Sequence, residues 1–298
     1  METASITGAV SFCAPEYERG GLPVRSDAYK SDKSYKFTLF KTAFLRSIRQ
    51  FGIAAAFPLC ILAAWQLLSQ YGVISVLLFP PPLDIVEVGA KLIANGVLLP
   101  HLQISVTRCV LGFLLGGSLG IATGLLVGLF RQTEKTLNPT LQMLRMIPTL
   151  AITPLFVLWF GFEETAKILL IATSAFFPLY LNVFLGVRSL DNRLFEVSRV
   201  LEYSWLQRVF TVILPAASPH ILMGLRLSLG VSWLSLIVAE LIGPTSGIGY
   251  LMMDARLFSD TPIVFVGIIV FALVGKMTDS LVRWLERKTL KWRDNYQG

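Results

Sequence analysis

The sequence predicts an all-α integral membrane protein with six transmembrane helices. Of its 298 residues, 54% are hydrophobic and only 15% are charged, and the mean hydropathy is +0.65. Soluble domains carry about a quarter charged residues, so most of this surface is expected to face lipid. Apolar segments run almost from end to end, which favours one membrane domain over residues 51–290.

The two ends of the chain are polar. Residues 1–50 are mixed in charge and lack an apolar stretch followed by a small-residue cleavage site. They therefore predict a flexible cytoplasmic tail and not a cleaved signal peptide. Residues 291–298 predict a short cytoplasmic tail at the other end.

Six segments have the length and apolar character of membrane helices, which need about 20 mostly apolar residues. They are residues 51–69, 104–130, 138–160, 166–187, 219–242 and 262–282. After the first segment, three consecutive prolines precede residues 84–93, where apolar residues recur at helical spacing among charges. This pattern predicts a short amphipathic helix in the membrane interface.

Lysine and arginine residues orient these segments. With a cytoplasmic N-terminus, the outside loops hold three of them, Lys91, Lys167 and Arg256. The inside flanks hold fifteen: Lys36, Lys41, Arg46, Arg49, Arg131, Lys135, Arg188, Arg193, Arg199, Arg208, Arg283, Arg287, Lys288, Lys291 and Arg293. This positive-inside bias predicts that both termini are cytoplasmic. It also accounts for the net charge of +7 without nucleic acid as a partner.

The second predicted span carries a glycine every four residues. The stripe consists of Gly112, Gly116, Gly120, Gly124 and Gly128. In water each glycine would cost a helix up to about 1 kcal/mol, whereas in lipid a glycine stripe lets another helix approach closely. The stripe therefore predicts helix packing, without a direct ligand role, and a central place for this helix.

Prolines interrupt the third and fourth predicted spans. Pro148 and Pro154 lie in the third, and Pro178 lies in the fourth. Each proline removes a backbone donor and bends its helix. Bends are tolerated beside protein neighbours or a water-filled cavity, so these positions suit either a structural kink or a translocation pathway.

Residues 194–215 predict two short amphipathic helices joined by a turn. Val197, Val200 and Leu201 share one face of the first helix, and a second apolar run ends at Pro215. The alternative is a helix lying on the membrane surface. The polar faces carry both charge signs, which favours a protein groove over an anionic membrane, so we expect a compact cytoplasmic knob that binds a protein.

This loop resembles the EAA loop of ABC importer permeases. That loop begins with Glu, continues with small residues and a glycine, and ends in apolar-x-Leu-Pro. The residues in register are Glu196, Ser198, Val212, Leu214 and Pro215. Two positions depart from it, because Val197 replaces a usual alanine and Glu202 stands where the family has glycine. Since only glycine adopts positive φ freely, Glu202 leaves the geometry of the turn open.

Three further stretches resemble the sulfonate, nitrate and taurine branch of these permeases. They are residues 101–116 with Ser105, Arg108, Gly112 and Phe113; residues 144–161 with Arg145, Pro148, Pro154, Trp159 and Phe160; and residues 239–249 with Glu240, Gly243, Gly247 and Gly249. About residues 60–290 align. The loop is specific to the transporter class, and the other stretches are less specific to the branch.

The resemblance implies a type I importer permease in a bacterial inner membrane. Two copies of the chain would form a homodimeric channel, two copies of an ATPase subunit would bind ATP and Mg, and a periplasmic or lipid-anchored binding protein would deliver the solute. Residues expected to couple to the ATPase are Glu196, Val197, Ser198, Arg199, Leu201, Glu202, Arg208 and Pro215. The chain contains no GxxxxGK[ST] motif, so ATP hydrolysis is expected to belong to the partner. By the resemblance, this chain is itself neither an enzyme nor a cofactor carrier.

Candidate pathway residues are charged or polar groups at membrane depth, where a charge costs several kcal/mol. The charged candidates are Arg108, Arg145, Arg226, Glu240, Lys276 and Asp279. The arginines could instead snorkel to the interface, and Lys276 could snorkel or pair with Asp279. In the fifth span, Ser228, Ser232, Trp233 and Ser235 offer donors and an aromatic wall, although serines there often bond other helices.

The expected solute is a small anion such as a sulfonate, taurine or nitrate. The alternatives are an importer for an amino acid or a thiamine-pathway pyrimidine, a membrane-embedded enzyme, and a structural scaffold. Only two histidines, His101 and His220, are present, and no paired intramembrane carboxylates stand out. The three cysteines, Cys13, Cys60 and Cys109, have no CxxC spacing. These observations disfavour an enzyme, a zinc site and a disulfide framework.

Overall fold

The computed structural model describes residues 56–242 and 246–290. Both predicted tails, Cys13 and Gly243 lie outside the described residues. The chain divides into two units, Met1–Leu62 and Ala63–Gly298. The described part of the first unit, residues 56–62, is the beginning of a helix, and all the contacts given below lie within the second unit.

Every regular element in the described part of the chain is a helix. The α-helices are α1 (Ala56–Gln70), α2 (Pro82–Ala94), α3 (Leu98–Leu129), α4 (Arg131–Arg145), α5 (Thr149–Phe160), α6 (Glu164–Arg188), α7 (Asn192–Val200), α8 (Trp205–Arg208), α9 (Leu214–Ile242), α10 (Ile248–Leu257) and α11 (Thr261–Thr289). A π-helical turn, Val209–Ile213, joins α8 to α9.

The number of membrane spans differs from the sequence expectation. Within the described residues, four helices are long and apolar enough to cross a membrane: Leu98–Leu129, Glu164–Arg188, Trp205–Leu241 and Thr261–Thr289. A fifth results if the bent pair α4 and α5 is one span, whereas α1 is apolar but shorter. The all-helical membrane fold is confirmed, and the count of six spans is not.

The third predicted span, residues 138–160, is not one straight helix. It consists of the end of α4 and all of α5, and the two helices are bent by 93°. Pro148 lies at the bend with an extended backbone (φ −63°, ψ 134°) and is the N-cap of α5. Proline disfavours helical geometry in the residue before it. The bend therefore has a local cause in the sequence.

The glycine stripe of α3 lies against α6 along its length. A Cβ atom on Gly120 would lie 2.7 Å from the carbonyl oxygen of Phe176, and one on Gly124 would lie 2.8 Å from that of Tyr180. On Gly116 it would collide with the backbone of Ala172. Only a residue without a side chain permits this approach.

The most enclosed helix is α6 and not α3. Over its most apolar window α6 is 50% buried, compared with 33% for α3, 33% for the span containing α9 and 17% for α11. The reason is that α6 packs against both α3 and α9. The stripe thus marks a helix that adjoins the centre.

The predicted amphipathic helix at residues 84–93 is present as α2. Pro81 is its N-cap and Pro82 its first residue, where proline is well tolerated. Ile85 is buried, whereas Leu83 is exposed. The interface location of α2 stays a prediction.

Candidate coupling surface and polar interior

The helix α7 forms a platform whose inner side is anchored to the membrane domain. Asp191 caps its N-terminus by accepting the backbone N–H of Arg193 at 3.0 Å. On the inner side Phe195 packs against a buried apolar cluster that includes Val187 of α6 and Ile213 of the π-helical turn. Burial of this face fixes α7 to the ends of two membrane helices.

Ser198 lies on the inner side of α7. Its side chain is fully buried, and its hydroxyl donates to the Phe195 carbonyl at 2.8 Å. Glu196 and Arg199, two other residues expected to couple to the ATPase, are exposed. The structure therefore places Ser198 under the surface that a partner could touch.

The outer side of α7 is apolar and open. Val197, Val200 and Leu201 are 55%, 83% and 54% exposed, and Trp205 and Leu206 of α8 continue the patch. We call these five residues the coupling surface. Clustered apolar side chains beside charged ones are typical of a protein-binding site.

The turn between α7 and α8 requires a left-handed residue, and Glu202 provides it. Glu202 has φ of +53°. Its N–H donates to the Arg199 carbonyl at 3.0 Å, and the Tyr203 N–H donates to the Ser198 carbonyl at 3.1 Å. These two bonds form a Schellman motif, in which the left-handed residue is usually glycine. The substitution of Glu for the family glycine keeps the turn, at a cost of roughly 1–2 kcal/mol.

The prediction that the second short helix ends at Pro215 is wrong. Trp205–Leu241 is one helical span, in which α8 passes through the π-helical turn into α9. Pro215 is the second residue of α9, and proline lacks the N–H that a helix interior needs. The π-helical turn accommodates the proline within the helix. In this turn the hydrogen bonds are shifted by one residue, since the Leu214 N–H donates to the Val209 carbonyl five residues back. α8 and α9 are thus continuous through the π-helical turn.

Arg208 lies at the end of α8 beside the turn. Its Nη2 is 3.4 Å from the Tyr203 carbonyl, and its buried Nε has no hydrogen-bond partner in the described part of the chain. The side chain is half-buried and points back into the knob.

A separate, polar site lies in the N-terminal half of α3 and centres on Arg108. Its Nε and Nη2 donate to the two Glu164 oxygens at 2.5 and 2.6 Å. Its Nη1 donates to Glu240 at 2.7 Å, and Nη1 and Nη2 also bond the carbonyl and hydroxyl of Ser246. All five guanidinium donors are therefore occupied. We call Arg108, Glu164, Glu240, Ser105 and Ser246 the ionic cluster.

Glu240 joins the ionic cluster to the start of α10. Its side chain is fully buried; it accepts the Ser105 hydroxyl at 2.7 Å and the Gly249 N–H at 2.8 Å. A Cβ atom on Gly247 would lie 2.7 Å from Arg108 Nη1, and Gly247 has φ of +106°. Two glycines singled out in the sequence, Gly247 and Gly249, are thus needed for the close approach of the backbone to these charges.

The polar residues of the fifth span bond neighbouring helices. Ser228 donates to the Ala175 carbonyl at 2.6 Å, Ser235 to the Ser174 hydroxyl at 2.6 Å, and the Trp233 indole to the Phe271 carbonyl at 2.9 Å. Ser232 bonds its own helix at the Ser228 carbonyl. All four side chains are buried. Their donors are occupied, and a role in lining the pathway stays a prediction.

The remaining charged candidates for the pathway are Arg145, Arg226, Lys276 and Asp279, and their surroundings differ. Asp279 pairs with Arg226 of α9 at 2.7 Å and with Arg283 one turn away, whereas Lys276 is exposed. Arg145 lies at the end of α4 and lines a cavity. In the described residues, no cluster of His, Cys, Asp and Glu could hold a metal ion.

Comparison with known proteins agrees with this architecture. Residues 116–291 match the model of the family described as "Binding-protein-dependent transport system inner membrane component". The chain belongs to this family.

Two relatives of this permease are named as putative sulfonate transport permeases. It is 58% identical over 241 residues to the putative aliphatic sulfonates transport permease protein SsuC of Bacillus subtilis, covering 81% of this chain and 87% of the relative. It is 46% identical to the corresponding protein of Escherichia coli, covering 80% and 91%. The inward-facing MetNI methionine ABC transporter has a similar fold, with a TM-score of 0.52 and 18% identity, over 64% of this chain and 96% of the MetNI chain.

Three residues of the polar site around Arg108 are not among the candidates predicted from the sequence. Glu164 and Ser246 complete the ionic cluster, and His101 accepts the Gly247 N–H at 3.1 Å. Glu164 lies at the predicted boundary of a span, where a carboxylate is unremarkable. The available signal was Arg108, because an arginine this deep in an apolar helix needs a carboxylate partner.

Proposed function

We propose that this permease is the membrane subunit of an ATP-driven importer that carries small sulfonates into the cell. The observation that carries the proposal is the coupling surface. It is an exposed apolar patch on a helix whose other side is anchored in the membrane domain. An exposed patch next to a rigid lever is suited to receive force from a partner.

The partner is an ATPase subunit, present in two copies and supplying the ATP and Mg sites. When ATP closes the ATPase dimer, a groove on each ATPase subunit would carry α7 with it. Because Phe195 packs against the ends of α6 and α9, those helices would follow as a rigid body. Access would then switch from the outside to the inside.

The solute class is a sulfonate anion. The two sulfonate permeases compared above support it, each aligned over about four-fifths of this chain. The sequence resemblance to the sulfonate, nitrate and taurine branch points to the same chemistry. Selection between solutes is expected to rest largely with a separate binding protein on the outer side.

The assembly is a homodimer in the bacterial inner membrane with both termini in the cytoplasm. The positive-inside bias supports this orientation, since basic residues concentrate on the side of the coupling surface. No chemistry is assigned to this chain beyond forming the route through the bilayer.

The test is uptake in proteoliposomes that contain this permease, its cognate ATPase and its binding protein. Labelled ethanesulfonate should accumulate only when ATP is supplied. Glu196→Lys should abolish accumulation while leaving membrane insertion intact, because it places a cation beside Val197 of the coupling surface. The matched control is Glu286→Lys, the same charge change near the end of α11, and it should transport normally.

Two results would contradict the proposal. One is ATP-independent or absent uptake of every sulfonate tested, with methionine or another amino acid transported instead. The other is normal uptake and normal ATPase binding by Glu196→Lys. The first result would show that the chain does not import sulfonates. The second would show that α7 does not bind the ATPase.

A further inference from the structure

A cavity of about 370 Å³ lies where α4, α5, α6 and α9 meet. Ligand pockets are usually about 300–1,000 Å³, so a small organic anion fits. Its polar lining consists of Arg145, Thr149, Thr173 and Ser174, and its apolar lining includes Phe177 and Val231. The cavity exists because the bend at Pro148 turns α5 away from α4.

The cavity lies beside the middle of α6 and the interior of α9. Ser174 is the eleventh of the 25 residues of α6. At 1.5 Å per residue it is roughly 15 Å from one end of the helix and roughly 21 Å from the other. Val231 similarly lies inside α9, far from both ends. Any solute crossing along these helices passes this depth.

Arg145 brings a positive charge to this cavity without a matching negative one. Within the described residues no carboxylate lies at ion-pair distance from it. Its side chain is half-buried. An unmatched cation this deep is costly unless it faces water or an anion.

The first turn of α5 adds backbone N–H donors that have no partner within the helix, whereas the hydroxyls of Thr173 and Ser174 donate to carbonyls of α6 at 2.9 and 3.1 Å. Thr149 is the first residue of α5, so the positive end of that helix dipole lies at the cavity wall. Its hydroxyl is 3.3 Å from that of Ser174. A guanidinium binds a planar or tetrahedral oxyanion through two parallel N–H···O bonds.

We propose that this cavity is a transit site for the sulfonate group, with Arg145 as its counter-charge and Thr149 as a second donor. The identity of the anion rests on the proposed function, whereas the preference for anions rests on the cavity alone. The solute's organic part would contact Phe177 and Val231. The binding charge is that of Arg145, which lies next to the bend between α4 and α5.

Cysteine modification tests the preference for anions directly. In the full complex, with Cys13, Cys60 and Cys109 replaced by alanine, Thr173→Cys places a thiol in the cavity wall. Two methanethiosulfonate reagents of similar size are compared, one bearing an ethylsulfonate group and one an ethyltrimethylammonium group. Thr140→Cys, on the exposed side of α4, gives the reference ratio of the two rates.

At Thr173→Cys the sulfonate reagent should be favoured about tenfold over the reference ratio, since a nearby positive charge in a partly buried site attracts the anionic reagent and repels the cationic one. Arg145→Gln should abolish this preference, Arg145→Lys should keep it, and Arg131→Gln, an arginine at the exposed start of α4, should not change it. Excess ethanesulfonate should slow the reaction.

The outcomes are separable. A ratio of the two rates equal to the Thr140→Cys reference ratio, or a preference unaffected by Arg145→Gln in a complex that melts at the unchanged temperature, would overturn the transit site. If the anion preference depends on Arg145 but no sulfonate is taken up with ATP, the transit site stands as an anion site and the proposed solute is wrong.

Discussion

Arg108 and Arg145 are both arginines within the membrane domain, but their surroundings are opposite. Arg108 is 2% exposed and has all five donors bonded to residues of α6, α9 and the segment before α10. Arg145 is half-buried, has no carboxylate at ion-pair distance in the described chain, and faces a cavity. Burial alone therefore does not identify a solute site, because the presence or absence of partners decides the role.

The comparison extends to the helices that hold each residue. The ionic cluster ties together elements that are far apart in sequence, since Arg108 and Glu240 are 132 residues apart. The cavity is formed around a break between consecutive helices. We expect the first region to resist movement and the second to be where packing changes as access alternates.

The largest effect should follow removal of the Arg108 charge. Arg108→Ala leaves Glu240 buried without its cation, and breaking a buried pair in this way costs about 3–5 kcal/mol. Arg145→Ala leaves no carboxylate unpaired and should cost far less. Thermal unfolding of the purified permease in nanodiscs, followed by tryptophan fluorescence, measures both.

A double variant distinguishes charge burial from lost packing at the ionic cluster. Arg108→Leu combined with Glu240→Leu should recover part of the stability lost by Arg108→Ala, because no charge is left unpaired. Equal melting temperatures for Arg108→Ala and Arg145→Ala would show that the two arginines are equivalent, contrary to the structure.

A smaller loss of stability is expected when a side chain is added to the glycine stripe. Gly116→Ala forces α3 away from the backbone of Ala172, which cannot rotate aside, and overpacking of this kind costs about 1–3 kcal/mol. Gly230→Ala on α9 is the matched control, since nothing lies within 4 Å of its added Cβ. The same unfolding measurement applies, and a Gly116→Ala variant as stable as Gly230→Ala would mean that α3 and α6 are farther apart.

The smallest effect concerns the turn that presents the coupling surface. Glu202→Gly should hold the turn as well as or better than Glu202, and Glu202→Val should weaken it by about 1–2 kcal/mol, since a β-branched residue tolerates positive φ poorly. Hydrogen exchange of the Tyr203 amide, which bonds the Ser198 carbonyl, reports on the motif. Equal protection in all three proteins would argue against a left-handed residue at this position.

Local patterns in the sequence anticipated much of the fold. The glycine stripe predicted close helix packing, and the spacing around residues 84–93 predicted α2. These features depend on residues within one or two turns of each other. The same is true of the bend, because Pro148 acts on its neighbour, although its size of 93° depends on what packs around it.

Tertiary pairings could not be derived in this way. Nothing in the spacing of Arg108, Glu164 and Glu240 shows that they meet, because each lies on a different helix. The continuation of α8 into α9 could not be derived either, since Pro215 favours the end of a helix and a π-helical turn has no distinct sequence signal. The burial of Ser198 follows from packing against the membrane domain, which single-helix periodicity does not contain.

ATP hydrolysis by the reconstituted complex in nanodiscs tests the coupling of this permease to an ATPase. With its binding protein and ethanesulfonate present, the rate should rise above the basal rate, and Glu196→Lys in the permease should remove that rise while the isolated ATPase remains active. A rate that is indifferent to the sulfonate-loaded binding protein, or a stimulation that survives Glu196→Lys unchanged, would contradict the importer proposal.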